Sequence, residues 1–389
     1  MDVRSDRARR GQAPTIISGT SCLDRLAEPN ERFGRCSAVI VADEAVVRFG
    51  YAARVAEALG VLDDIRLHQV PAGEPTARSV DDAADAVRAV LDPVVIGVGG
   101  GSALDVAKQA AAVAGGRFGI EHYALGANAL PVGPPVIAIP TTSGTGSEVT
   151  RTCVLTDRAG RKVWAWGDEL LPRLVLLDPA ATVTLPPAIT AATGLDALVH
   201  AVEAVTGRRT SGDVAAAAQR AIRLVLDYLP AAVADGGDLE VRSAMQQAAL
   251  LAGLAIDEGG TGIAHSIGHA LGTLAHVPHG VAVAVGLGAA LDWNIDGAAD
   301  AFAPVAVAAG VPVTTLGRVY RDLLDTCAFA TAVARVGPLA VEPDALADVM
   351  IAVENQPMYE NNCRRADDAE RRALAAAAMT LWADLLAAS

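Results

Sequence analysis

Aromatic residues are only 4% of this 389-residue chain, cysteine numbers five and histidine seven. The cysteines (Cys22, Cys36, Cys153, Cys327 and Cys363) are odd in number and scattered, with no CxxC pair. That excludes a small disulfide-stapled domain and predicts reduced thiols in a cytoplasmic protein. For each cysteine, packing in a core is the default role. Positive charge is scarce: 31 Lys and Arg against 45 Asp and Glu leave a net charge of −14, which excludes nucleic acid and anionic membrane as expected partners. The N-terminal arginines of "MDVRSDRARRGQAP" are not followed directly by an apolar run with a small-residue cleavage site, so no signal peptide is expected. Charge is missing altogether from two stretches, 123–147 and 259–291. The first is broken by Pro131, Pro134, Pro135 and Pro140 and the second carries histidines, so neither reads as a membrane-spanning helix. Buried core around a site fits both better.

With 52% hydrophobic and 20% charged residues, the chain has ample material for two folded domains. Its first half alternates strand-like and helix-like segments. "CSAVIVAD" (36–43) and "DIRLHQV" (64–70) read as strands, and "YAARVAEALGVL" (51–62) reads as a helix. "SVDDAADAVRAVL" (79–91) is expected to start at a Ser79 cap, with Asp81 and Asp82 in its first turn. "PVVIGVGGGS" (93–102) and "PPVIAIPTTSGTGS" (134–147) are strands that run into glycine-rich loops. Such alternation predicts a Rossmann-like α/β domain with a mostly parallel sheet. Beyond "VLLDPAATVTLPPA" (175–188) strand signals nearly vanish, and Ala- and Leu-rich segments at 190–205, 213–229, 240–256 and 368–387 predict helices. The expected division is therefore an α/β domain over 1–185 and an all-helical domain over 186–389.

Between a strand and a helix, "GVGGGSALDVAK" (97–108) lets backbone approach a ligand and offers the free N–H groups of a helix start to an anion. It reads equally as a tight β–α turn, since it is neither GxGxxG nor GxxxxGK[ST]. Asp43, at the end of an earlier strand, is placed to accept from a ribose diol or to cap a helix. "PTTSGTGSEVT" (140–150) offers Thr141, Thr142, Ser143, Thr145 and Ser147 as neutral donors.

Four of the seven histidines fall within "GIAHSIGHALGTLAHVPHG" (262–280). His265 and His269 are four residues apart, as are Asp196 and His200 in "TGLDALVHAVEAV" (193–205), so each pair shares a helix face. His279 follows fourteen residues after His265. A lone histidine on an apolar face is usually a satisfied core residue. Two such pairs in one uncharged region, with a carboxylate among them, point instead to a divalent metal. HExxH and GxSxG are absent, which excludes a zinc-protease helix and a hydrolase nucleophile elbow.

"GGGSALDVAK", "PTTSGTGSEVT", "TGLDALVHAVEA" and "HSIGHALGTLAHVPHG", in that order, resemble the iron-containing, metal-dependent alcohol dehydrogenases, whose fold is shared with glycerol dehydrogenase and dehydroquinate synthase. The resemblance runs from about Ile16 to the C-terminus. It implies Asp196, His200, His265 and His279 as ligands of Fe²⁺ or Zn²⁺. His269 would be a nearby histidine with a relay, positioning or packing role. The resemblance also implies that Asp43 holds the adenosine ribose, which favours NAD(H) over NADP(H). Gly100, Gly101 and Ser102 would form the pyrophosphate loop, with Thr141, Thr142, Thr145 and Lys162 as further cofactor contacts. The implied reaction moves hydride between NAD(H) and a small alcohol or aldehyde while a metal polarises the substrate oxygen. Apolar helices in a chain this hydrophobic are expected to leave an exposed face for a homodimer.

Three departures stand out. Glu74 in "EPT" replaces the family's usual Asn, His276 replaces an acid or amide, and "ENNCRRADD" (360–368) replaces the usual Asn-Pro-Arg stretch. They suggest a specialised substrate such as a phosphonate- or carboxylate-bearing aldehyde, with Arg151, Arg364 and Arg365 as candidate cations. Trp164, Trp166 and Trp293 are candidate pocket walls. Two rival readings are a dehydroquinate-synthase-like lyase or cyclase that uses NAD transiently, and a non-catalytic metal-binding scaffold. Few Lys or Arg in the motifs speak against the first, and the complete ligand set speaks against the second.

Overall fold

A computed structural model describes residues 13–27, 37–60, 62 and 64–389. Cys36 therefore lies outside the described residues. The chain divides into two compact units, one running to Thr141 and including Ser147–Ala181, the other formed by Thr142–Gly146 with Thr182–Ser389. The cut after Ala181 falls shortly before the expected Leu185–Pro187, and a short piece of the Thr-Gly loop goes with the helices.

The first unit is built on a six-stranded parallel sheet of order β1-β8-β5-β4-β2-β3. Its strands are β1 (Thr15–Ser18), β2 (Ser37–Asp43), β3 (Asp64–Val70), β4 (Pro93–Gly99), β5 (Val136–Pro140) and β8 (Leu174–Leu177). A separate antiparallel hairpin pairs β6 (Thr152–Thr156) with β7 (Lys162–Trp166). Helices α1 (Glu44–Arg48), α2 (Tyr51–Ala58), α3 (Ala77–Arg88) and α4 (Gly101–Ala114) connect the strands.

The strands read as unbroken apolar runs because both faces of the sheet are covered. Val39 and Val41 of β2 join the core with α3 and α4, while Ala38, Ile40 and Ala42 join the opposite core with α2. The chain leaves β2 for β3 on one side and returns to β4 on the other. That reversal opens a crevice at the carboxyl ends of β2 and β4, where ligands of open α/β sheets bind. Asp43 ends β2 and Gly99 ends β4.

Two details differ from the sequence reading. Helix α3 is capped by Thr76, whose hydroxyl accepts from Ser79 N while Ser79 Oγ accepts from Thr76 N. Ser79 is thus the third helical residue of a reciprocal capping box rather than the cap. The helix therefore starts one turn early and has no acid in its first turn; Asp81 instead accepts from Ile120 N and pairs with Arg158. Helix α2 ends at Ala58, short of the expected residue 62.

The second unit is helical: α5 (Pro187–Thr206), α6 (Gly212–Ala234), α7 (Leu239–Gly259), α8 (Ile263–Ala275), α9 (His279–Ala298), α10 (Ala303–Ala309), α11 (Leu316–Thr326), α12 (Ala330–Val336), α13 (Pro343–Val349), α14 (Gln356–Asn361) and α15 (Asp368–Ala387). Helix α5 is apolar around almost its whole circumference and runs through the centre of one large core. Among the described residues α5 is long and apolar enough to cross a bilayer, as is the run His279–Ala309 with Val313–Thr326, which is bent by 79°. The most apolar window of α5 is 89% buried, as befits a central core helix. Of the two uncharged stretches, 123–147 becomes short turns and β5, and 259–291 is split between α8 and α9. The break between those helices is His276, which ends α8 in the left-handed region at φ 53°. Cys22, Cys153, Cys327 and Cys363 are free thiols.

Candidate active site

Helix α5 presents Asp196, His200 and Glu203 along one face, at spacings of four and three residues. Helix α8 presents His265 and His269, and α9 opens with His279 at its first position after Pro278. The left-handed turn at His276 reverses the chain, so α9 packs back along α8, with Gly268 against Val283 and Gly286 against Ala264, and the rings of His265 and His279 come to 5.4 Å between centroids. Asp196, His200, His265 and His279 each offer one ligand atom, and these atoms all lie within 4.8 Å of one another. Asp196 Oδ1 is 3.5 Å from His200 Nε2 and 3.7 Å from His279 Nε2. The His200 and His265 rings stack with centroids 4.8 Å apart at 18°. Burial pushes the His200 pKa down, against the pull of Asp196, so its imidazole stays neutral with a lone pair available.

The donor set fits a divalent metal. Asp196 Oδ1 and His265 Nε2 are buried and have no hydrogen-bond partner among the described residues, an arrangement that is costly unless a cation occupies the space between them. His265 Nδ1 lies 2.6 Å from Glu203 Oε2. A carboxylate only accepts, so Nδ1 carries the hydrogen and Nε2 is left as a bare lone pair facing the cluster. One carboxylate and three neutral imidazoles suit Fe²⁺ or Zn²⁺.

His269 lies beside the four rather than among them. Its ring centroid is 5.6 Å from that of His279 and 6.2 Å from that of His265. His276 is exposed, and its role in the structure is to make the turn.

In the first unit the glycine loop opens α4. Gly100 is the N-cap and supplies no side chain to the first N–H groups of the helix, including those of Gly101 and Ser102. Gly99 has φ +151°, and a Cβ there would come within 2.6 Å of both Ala103 Cβ and Asp43 Oδ2. Only glycine fits this close packing of the β4 end against Ala103 and Asp43, and the first N–H groups of α4 are left without a side-chain cap, as an anion at a helix start would need. Asp43 caps α1, its Oδ1 accepting from Val46 N at 2.8 Å, while Oδ2 faces Gly99. Both readings of Asp43 are thus compatible, one for each oxygen. Thr141 N donates to Gly99 O at 2.9 Å, so Thr141 stays with the sheet, whereas Thr142 and Thr145 belong to the helical unit.

Lys162 on β7 is buried and pairs with Glu74 at 2.6 Å. The hairpin is seated on that loop by Thr156 N donating to Pro75 O at 2.8 Å. The Glu74 departure therefore comes with its own partner.

Two candidate cations are engaged elsewhere. Arg364 stacks on Trp293 with 4.1 Å to the ring centroid, pairs with Glu370 and donates to Trp293 O. Arg151 lies 3.9 Å from Asp168 and over Trp166. Arg365 is exposed. Trp293 is thus covered by Arg364, and Trp166 is 52% exposed.

Sequence reasoning missed Glu203, although its place seven residues after Asp196 on the same face was a readable signal. It also missed the role of Asn361 and Asn362. Asn361 Nδ2 donates to Gly259 O and Thr261 O, and Asn362 Oδ1 accepts from Ile263 N, so both brace the turn that leads into His265.

Residues 13–179 match the family model for iron-containing alcohol dehydrogenase, and residues 190–381 match that of the C-terminal region of the same family. The 1-propanol dehydrogenase of Citrobacter freundii is 38% identical over 72% of this chain and 71% of its own length. The sulfoacetaldehyde reductase of Bilophila wadsworthia is 31% identical over 90% of this chain and 94% of its own. The crystal structure of sulfoacetaldehyde reductase from Bifidobacterium kashiwanohense in complex with NAD⁺ superposes with a TM-score of 0.85 at 28% identity, covering 95% of this chain and 98% of that one.

Proposed function

Because the chain belongs to the iron-containing alcohol dehydrogenase family, we propose that it is an NAD(H)-dependent reductase of small aldehydes with a metal held by Asp196, His200, His265 and His279. The single observation that carries this reading is the convergence of those four ligand atoms within 4.8 Å, with Asp196 Oδ1 and His265 Nε2 buried and unpartnered. When bound, a divalent metal supplies Lewis acidity to the substrate oxygen and the nicotinamide supplies or accepts hydride.

The residues of the chain do the rest. The N–H groups at the start of α4, left uncapped by Gly100, hold the anionic pyrophosphate. The Asp43 carboxylate beside Gly99 accepts from a ribose hydroxyl and repels a 2′-phosphate, which favours NAD(H) over NADP(H). Thr141, Thr142, Thr145 and Lys162 add neutral and paired contacts. His269, next to the ligand cluster, positions or relays the alcohol proton. On this reading the α/β part (1–185) binds the dinucleotide and the helical part (186–389) holds metal and substrate, in a cytoplasmic homodimer.

Relatives named for 1-propanol and for sulfoacetaldehyde support short aldehydes, neutral or anionic, as substrates. Arg151 and Arg364 have their charges balanced by Asp168 and Glu370, so a neutral short aldehyde is the leading candidate. The test is NADH oxidation with propanal and sulfoacetaldehyde by the full-length protein, stripped of metal and then reloaded with Fe²⁺ or Zn²⁺. Metal-dependent NADH loss in proportion to alcohol formed is expected. Turnover that survives complete metal removal would sink the reading.

A further inference from the structure

We infer that Glu203 is a positioning residue: it fixes the tautomer and orientation of His265 and so sets how tightly this chain holds a divalent metal. The inference rests on the metal reading above. Glu203 lies on α5 three residues after His200 and is 5% exposed. Its carboxylate accepts from His265 Nδ1 at 2.6 Å, from Ala264 N at 2.6 Å, from Gly262 N at 2.8 Å and from His265 N at 3.4 Å. It is thus seated in the N-terminus of α8, where free N–H groups and the helix dipole favour an anion. A Cβ at Gly262 would come within 2.9 Å of Glu203 Oε1, so the glycine at that position gives the carboxylate its room.

The consequence is geometric. One helix, α5, carries two ligands, Asp196 and His200, and also the anchor of a third, His265, which comes from a different helix. Helix pitch then fixes the spacing of all three. The bond to Nδ1 holds the ring against rotation and leaves Nε2 as the lone pair, and that atom is buried without another partner. Carboxylates that orient metal-bound histidines in this way typically contribute about 10- to 100-fold to metal affinity.

The test uses the full-length, metal-stripped protein, with Co²⁺ as the probe in competition with a chelator. Glu203→Gln keeps the shape and one set of acceptor bonds, but it removes the charge and turns an NH₂ group toward a donor. We expect its Co²⁺ Kd to rise about 10- to 100-fold, with altered visible Co²⁺ bands and unchanged circular dichroism of the metal-free protein. A folded Glu203→Gln protein whose Kd stays within about threefold of the unmutated value overturns the inference. Histidine-selective ¹⁵N NMR of the unmutated, metal-free protein is independent of how any variant folds. It should show His265 as the Nδ1–H tautomer, and an Nε2–H tautomer overturns the proposal. Failure of the unmutated protein to bind Co²⁺ would instead remove the metal reading itself.

Discussion

Each unit buries a polar cluster, and the two clusters are opposite in kind. In the α/β unit, Lys108 is wholly buried, and its ammonium donates to Ser147 O, Ser147 Oγ and Thr150 O at 2.7, 3.2 and 2.8 Å. Asp105 accepts from Ser147 Oγ through one oxygen and from Val154 N, at 2.8 Å, through the other. Three donor groups, Lys108 Nζ, Ser147 Oγ and Val154 N, make five bonds to five acceptor atoms, and the knot is closed. In the helical unit the buried polar atoms converge with lone pairs facing one another, and Asp196 Oδ1 and His265 Nε2 have no hydrogen-bond partner among the described residues. A closed cluster holds a loop in place, here the one that ends the Thr-Gly motif. A cluster of facing acceptors is stable only around a cation.

The sharpest way to break this contrast is to remove one member from each side. His265→Ala should lower metal-dependent turnover by roughly a thousandfold and reduce bound metal, while NADH titration still shows binding. Near-normal metal content measured by elemental analysis after dialysis would show that His265 is not a ligand. Asp105→Ala, in contrast, leaves Lys108 without a carboxylate and Val154 N without an acceptor, and should destabilise the protein by about 3 kcal/mol. Chemical denaturation should detect that loss with metal content unchanged; a loss of metal would mean that the two clusters are not independent.

Glu148 sharpens the comparison through pH. It is buried next to the closed knot, and burial raises its pKa from 4.5 to about 7. The folded state thus keeps a proton that the unfolded state has released, so stability should fall as pH rises from about 4.5 to about 7 and level off above. The span is worth roughly 3 kcal/mol. Glu148→Gln should flatten this slope in thermal melts taken between pH 5 and pH 8, and an unchanged slope would assign it to another group. The smallest effect is expected at His276, whose φ of 53° suits Asn better. His276→Asn should change stability by about 0.5 kcal/mol or less and leave kcat/KM within about twofold. A tenfold loss would give His276 a substrate-facing role.

Much of this was legible along the chain. Apolar runs that ended in glycine marked β4 and β5, and the i, i+4 pairs placed Asp196 with His200 and His265 with His269. Ser79 was misplaced because Thr76 and Ser79 make a reciprocal cap, and which of two hydroxyls comes first is decided by where the chain leaves β3. Arg364 looked like a free cation in the string "CRR". In the fold it is stacked on Trp293, seventy-one residues away in the chain. The pairing of Glu74 with Lys162 spans eighty-eight residues and depends on where the β6–β7 hairpin is seated.

What the sequence by itself determined was local. Period-two and helical patterning set the elements, and the uncharged histidine-rich run announced a site, because residue spacing alone decides which side chains share a face. Only the tertiary structure decided which helices would bring their side chains together. The union of α5, α8 and the start of α9 at one point depends on a left-handed turn at His276 and on Glu203 reaching sixty-two residues forward to His265. Neither is encoded in any local spacing, because packing between distant segments, rather than propensity within one, sets their distance.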